Sequence, residues 1–239
     1  MILFKRTSIL LSSLAVLSAT FVLGSPLAAH ASVSNPTAAS VIAAATTAVN
    51  KEIGVHVNVL TVSGKVDTTV VAKIGTLDGI ETYHQGGETF VITVTPAYAY
   101  LSGSLTGLTT VMGLTAAEQK KVGTSSISMK KGSAPYKTFK KNLTSAAFAQ
   151  LLPALKGTTL LPARDKKTNG YQLKWNTAAT STAAATTSVL TISSGAKTLP
   201  IKETVTTSGG TSQTTFTKWN KKVSVVAPTK TIKYATVFG

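Results

Sequence analysis

Residues 54–75 read GVHVNVLTVSGKVDTTVVAKIG. Val55, Val57 and Val59 occupy alternate positions, Ser63-Gly64 supplies a turn, and Val66, Thr68, Val70, Ala72 and Ile74 resume the alternation. Successive side chains of an extended strand point to opposite faces, so this period of two gives each arm one apolar face and makes the segment a β-hairpin. An apolar face on a hairpin must be covered, and the rest of the chain is read for what covers it.

Downstream, the turn pairs Asp78-Gly79 and Gly86-Gly87 bracket short strands carrying Phe90, Ile92 and Val94, then Tyr98 and Tyr100, which extends the hairpin into an antiparallel meander. Upstream, Asn35-Pro36 places a capping residue before a proline. Ala38, Val41, Ile42, Ala45 and Val49 follow at helical spacing, which predicts one amphipathic helix.

Thr115-Ala116-Ala117-Glu118 has the spacing of a capping box, in which hydroxyl and carboxylate satisfy opposite orphan amides, so a helix is expected to start there. A second helical stretch is expected after Thr144, where Phe148, Leu151, Leu152 and Leu155 stand at i, i+3, i+4 and i+7 until Pro153 kinks or ends it. Strand patterns return at Tyr171 to Trp175, Val189 to Ile192, Leu199 to Val205 and Thr211 to Trp219, and both tryptophans are placed in the core. Residues 177–188 are almost wholly Ala, Thr and Ser and read as a mobile loop. The order predicts an α+β fold: a large antiparallel sheet with helices on one face, in one domain.

The first 31 residues are excluded from that domain. Lys5 and Arg6 precede an apolar run from Ile9 to Leu23, and Ala29-His30-Ala31 offers a small-residue cleavage pattern before Ser32, the order of an export signal peptide. A spanning helix needs roughly 20 apolar residues, and this run is shorter and interrupted by Ser and Thr. Residues 32–239 are the expected mature domain, secreted or associated with the cell envelope. The chain has no cysteine, so lipid anchoring through a cleavage-site cysteine, disulfides and thiol chemistry are excluded, and an apolar core must hold the fold.

The formal charge is +16, and Arg164 is the only arginine beyond Arg6. Nucleic-acid readers usually use arginine for bidentate contacts, so this lysine-dominated charge suits an anionic membrane surface or wall polymer, and no nucleic acid is expected. The pairs Lys120-Lys121, Lys130-Lys131, Lys140-Lys141, Lys166-Lys167 and Lys221-Lys222 either form such a surface or are simply solvated.

Catalytic material is scarce. Beyond the leader the histidines are His56, which points away from the face of Val55 and Val57, and His84, beside the Gly86-Gly87 turn. No serine lies in a Gly-x-Ser-x-Gly elbow, and the acids Glu52, Asp67, Asp78, Glu81, Glu88, Glu118, Asp165 and Glu203 are scattered. Neither glycine pair has the strand-to-helix context of a phosphate site. No enzyme, metal or cofactor is expected.

The stretches Ala99-Tyr100-Leu101-Ser102-Gly103, Leu114-Thr115-Ala116-Ala117-Glu118, Ala134-Pro135-Tyr136, Leu199-Pro200-Ile201, Phe216-Thr217-Lys218-Trp219-Asn220 and Ala227-Pro228 resemble the actinobacterial LppX/LprG-like proteins, relatives of the LolA-type lipoprotein carriers. The resemblance runs through nearly all the mature chain in element order. It implies a half barrel, a curved antiparallel sheet with helices packed on its concave face, and an apolar cavity between them that holds acyl chains. Two positions depart from the family: the lipobox cysteine is missing, and a tryptophan that often precedes the Pro-Tyr segment is replaced near Ser126.

Leu108, Val111, Met112, Phe148, Leu151 and Leu152 are the candidates to line such a cavity, although an apolar stripe at helical spacing equally describes plain core. The expected function is a secreted, non-catalytic carrier or sensor of lipid or another amphiphile. The alternative is an envelope structural or adhesion module that binds anionic wall polymer through its lysines.

Overall fold

The computed structural model describes residues 36–63, 66–181 and 183–239. The export signal, the Asn35 cap and the Gly64 turn position lie outside the described residues. The helix α1 (Ala38–Val49) is capped two residues later than expected. Thr37 is extended and accepts from the Ser40 amide, and the Ser40 hydroxyl accepts from the Thr37 amide, so a reciprocal Thr-x-x-Ser pair does the work assigned to Asn35. Val41, Ala45 and Val49 form its buried face.

Five strands follow as a meander: β1 (Gly54–Ser63), β2 (Val66–Gly75), β3 (Gly79–Gln85), β4 (Glu88–Val94) and β5 (Tyr98–Gly103). A helical insert then carries α2 (Leu105–Met112), α3 (Ala116–Val122), strand β6 (Ser126–Lys130) and α4 (Ala134–Leu143). The box at α3 forms as expected: the Thr115 amide and hydroxyl donate to Glu118 at 2.7 and 2.8 Å and hold its carboxyl below the usual range.

The stretch after Thr144 is corrected in kind. It is a 3-10 helix (Ser145–Leu151) rather than an α-helix, and Leu155, expected on its stripe, is 54% exposed. The α-helix of this region lies earlier, at α4, where Ser133 caps, Pro135 occupies the first turn, and Tyr136, Phe139 and Leu143 are buried.

A second meander returns through β7 (Thr159–Leu160), β8 (Tyr171–Thr177), β9 (Thr186–Ile192), β10 (Pro200–Thr207) and β11 (Gly210–Thr217). The Ala/Thr/Ser-rich stretch is therefore strand at both ends. The chain closes with β12 (Thr231–Lys233) and α5 (Tyr234–Phe238).

All twelve strands join one open sheet in the order β12-β6-β5-β4-β3-β2-β1-β11-β10-β9-β8-β7. The pairing of β1 with β11 joins the two meanders at the centre. Right-handed twist accumulates over so many strands, and a sheet of this width curls, giving the curved α+β fold that the sequence predicts. One pairing departs from the expected antiparallel pattern: β12 lies parallel to β6, because the chain crosses from the central β11 to the far edge before entering it.

The sheet is one-sided at its centre. Val55, Val57, Val59, Val70, Ala72 and Ile74 are buried in one cluster with α1, α4 and the 3-10 helix, while Leu60, Val62 and Val71 on the other face are exposed. His56 shares that outer face and is half-buried, with its pKa lowered by partial burial and then by Lys218, Lys73 and Lys221.

At the end where β2 turns into β3 the helices come closest. Gly75 bridges Thr144, and a Cβ on Gly79 would stand 1.9 Å from the Leu143 carbonyl oxygen, so only glycine lets α4 end there.

The link from α1 to β1 is tied to the link from β9 to β10 by one ion pair, Lys197 Nζ to Glu52 Oε1 at 2.9 Å. The Glu52 side chain is 3% exposed and its Oε2 has no hydrogen-bond partner, whereas the Lys197 side chain is 60% exposed. Removing the lysine strands a buried carboxylate, and removing the carboxylate returns a lysine to water. Lys197→Ala is therefore expected to cost about 2 kcal/mol in urea unfolding at neutral pH, and Glu52→Gln clearly less. Equal costs would contradict that asymmetry.

Candidate functional site

Strand register builds the inner face of the sheet row by row, because residues paired across strands share a face. The first row runs Ile127, Leu101, Ile92, Glu81, Ala72, Val57 and Phe216 across β6 to β11. The second, two residues nearer the hairpin turns of β1-β2, β3-β4 and β10-β11, runs Phe90, Tyr83, Val70, Val59, Thr214, Glu203, Leu190, Leu173 and Leu160 from β4 to β7. The third reads Gln85, Thr68, Thr61, Ser212, Val205, Ser188 and Trp175.

The face thus changes character along the strands. In the first row every side chain but Glu81 is a buried hydrocarbon or aromatic group. In the third most are hydroxyls or amides; the Thr61 hydroxyl donates to Ser212 Oγ at 3.0 Å and the Tyr83 hydroxyl reaches the Gln85 amide oxygen. The opposite end is capped by the junction of α4 with the 3-10 helix and by Val223, whose side chain lies on Gly54 and Gly75.

Two carboxyls interrupt the apolar rows. Glu81 is 4% exposed between Ala72 and Ile92, and Glu203 stands between Leu190 and Thr214. Among the described residues neither makes a hydrogen bond or ion pair; Glu203 is half-buried, and desolvation pushes each up to about 7. The sequence lists both only among scattered acids. A signal for Glu203 exists in the alternation Ile201, Glu203, Val205, which puts an acid at an apolar position; Glu81 needs the register with β2 and β4.

The six cavity-lining candidates fall into two groups. Leu108, Val111 and Met112 lie on α2, which packs on β4 and β5, and all three are buried. Phe148 and Leu151 are buried and Leu152 is half-buried at the 3-10 helix, which packs on α4, α1 and β2. Both groups belong to the same apolar cluster as the inner face.

Phe148 meets Trp219 edge-on at 6.1 Å, and Trp219 stacks on Phe216 at 6.3 Å and donates from Nε1 to the Pro200 carbonyl at 2.9 Å. Trp219 lies just beyond β11, in a turn between the left-handed residues Lys218 and Asn220, rather than in the strand where the sequence places it.

The two histidines stay apart from this interior. His84 is exposed, its Nδ1 2.9 Å from Thr89 Oγ1. Among the described residues, no three His, Asp or Glu side chains come together to hold a metal ion, and no helix is long and apolar enough to cross a membrane. The five lysine pairs are spread over separate elements, and Lys140-Lys141 sits in the last turn of α4, where cations complement the helix dipole.

No protein-family model matches the chain, and no curated protein matches it. Among solved structures, the chain is similar to LprF from Mycobacterium bovis, 12% identical with a TM-score of 0.46, over 79% of this chain and 95% of that one. It is also similar to the Mycobacterium tuberculosis lipoprotein LppX, 16% identical with a TM-score of 0.43, over 79% of this chain and 100% of the other.

Proposed function

We propose that this chain is an exported, non-catalytic carrier or sensor that shelters the apolar part of a lipid or other amphiphile between the inner face of its sheet and its helices. The observation that carries this reading is the gradient along that face, from buried hydrocarbon at the helix-capped end to hydroxyls and amides at the hairpin end. An amphiphile lying along the strands meets matching polarity at each end, and a pocket of this kind needs only a few polar groups to orient its occupant. Leu108, Val111, Met112, Phe148, Leu151 and Leu152 are proposed as the helical side of the site. Surface lysines would serve approach to an anionic membrane, where each contributes about 1 kcal/mol near the surface.

Native mass spectrometry of the mature protein, purified from its own secretion medium without detergent and paired with lipid extraction, tests the proposal. The expected result is a stoichiometric adduct that releases an acyl-chain compound. A clean apo mass, together with no uptake from lipid vesicles, would overturn it.

A further inference from the structure

We infer that the helix-capped rim of the sheet is a docking surface for an anionic lipid bilayer, with Ile53, Leu77 and Tyr98 entering the interface and the lysine pairs around them meeting the head groups. This rests on the carrier reading above, where surface lysines serve approach to a membrane, and gives that approach to one end of the molecule.

Strand direction decides which loops share this rim. β1 leaves it, β2 returns and β3 leaves, β4 returns and β5 leaves, and β11 ends on it. Ile53 precedes β1, Leu77 stands in the β2-β3 turn, and Tyr98 opens β5 after the β4-β5 turn, so three neighbouring loops each carry one large apolar or aromatic side chain. They are 44%, 57% and 38% exposed. The Thr76 hydroxyl donates to the Ile53 carbonyl at 3.3 Å, which ties the first two loops together. The β4-β5 turn lies two strand spacings, about 10 Å, from the β2-β3 turn. Exposed apolar side chains scattered singly need no explanation, but three on adjacent loops of one rim do. The Gly86-Gly87 and Ser208-Gly209 turns at the other end offer none.

The same topology gathers lysine pairs that lie far apart in sequence. Lys130 pairs with Tyr98 across β6 and β5, and the Lys131 amide donates to the Ala97 carbonyl at 2.8 Å. Lys140-Lys141 closes α4, which ends against Gly75 and Gly79. Lys221-Lys222 follows a turn in which the Asn220 amide donates to the Gly54 carbonyl at 2.9 Å. Lys166-Lys167, ahead of β8, stands further round the same rim, whereas Lys120-Lys121 on α3 precedes the far end of β6. The acids of these loops do not offset the lysines. Glu52 is enclosed and paired with Lys197, Asp78 is half-buried, and Asp165 accepts from the Lys167 and Thr168 amides of its own turn.

A dissolved polyanion needs the lysines alone; the apolar side chains gain only where hydrocarbon is offered, which favours a bilayer. Tyrosine suits the head-group level, and lysine stems cover apolar surface while their charges stay in water. Such binding grows with the apolar area buried and with attraction to anionic lipid.

Sedimentation of the mature protein with vesicles of phosphatidylcholine, with and without phosphatidylglycerol, tests the assignment. Binding tighter by about tenfold or more is expected when the anionic lipid is present at low salt. Lys221→Gln with Lys222→Gln is expected to weaken it about fivefold or more, whereas Lys120→Gln with Lys121→Gln, an equal loss of charge, changes it by less than about twofold. Leu77→Ser, at the most exposed of the three positions, is expected to weaken binding about threefold and to reduce what survives at high salt. Circular dichroism establishes that the variants fold. Equal losses from the two lysine pairs, or no preference for the anionic vesicles, would overturn the assignment. So would lysine-dependent binding that Leu77→Ser leaves unchanged and soluble polyphosphate displaces in full, the behaviour of a polyanion site. None of these outcomes touches the carrier reading, whose own failure is an apo mass with no lipid uptake.

Discussion

Phe148→Ala is expected to cost the protein about 4 kcal/mol, the largest loss from any single truncation considered for this chain. The side chain is 2% exposed and stands at the meeting point of three elements. It brings the 3-10 helix edge-on to Trp219, which in turn stacks on Phe216 in the first row of the sheet. Its removal forfeits hydrocarbon burial, leaves a hole that the sheet cannot close, and loses an aromatic pair contributing about 1 kcal/mol beyond its area. Urea unfolding followed by tryptophan fluorescence measures the loss directly, because Trp219 is itself the neighbour. Leu152→Ala, at a half-buried position four residues after Phe148, is expected to lose far less. A cost below about 1.5 kcal/mol for Phe148→Ala would mean that the ring borders open space on most sides and does not also wedge the 3-10 helix against Trp219.

The sheet is legible in the sequence because its central hairpin is one-sided: a period of two survives wherever one face meets helices and the other meets water, as in Val55, Val57 and Val59. The capping box at Thr115 is equally legible, since its signal is local. Elements that depend on distant partners are not. β7 and β12 are two and three residues long and exist only because β8 and β6 offer free edges. The apolar stripe after Thr144 is real at Phe148 and Leu151, but the chain leaves α4 through an extended Thr144 that bridges Gly75, and the short remainder winds as 3-10. The site is less legible still. Six apolar candidates follow from helical spacing and are found in the cluster, yet helical spacing has no way to mark Glu81, which neither parity of β3 distinguishes until its neighbours on β2 and β4 are known.

Those buried carboxyls make stability depend on pH in an uncommon direction. Most carboxylates in folded proteins are held by partners at lowered pKa, so acid destabilises; Glu81 and Glu203 are raised from 4.5 to about 7 by burial with nothing to hold the charge. Between those two values the folded chain holds more protons than the unfolded one, so stability falls as pH rises and levels off above about 7. A shift of this size corresponds to about 3 kcal/mol for Glu81, whose side chain is almost fully enclosed, and to less for the partly exposed Glu203. Glu81→Gln is therefore expected to match the parent at pH 4.5 and to be about 3 kcal/mol more stable at pH 8, with the double Glu→Gln variant flatter again. His56, lowered by burial and three lysines, opposes this by weakening the fold as pH falls below its ordinary range, but it is unchanged in the variants and cancels in the comparison. Urea denaturation of parent and variants across pH 4.5 to 8 gives the difference. Parallel curves at every pH would show that Glu81 has solvent or a counter-charge in the folded protein.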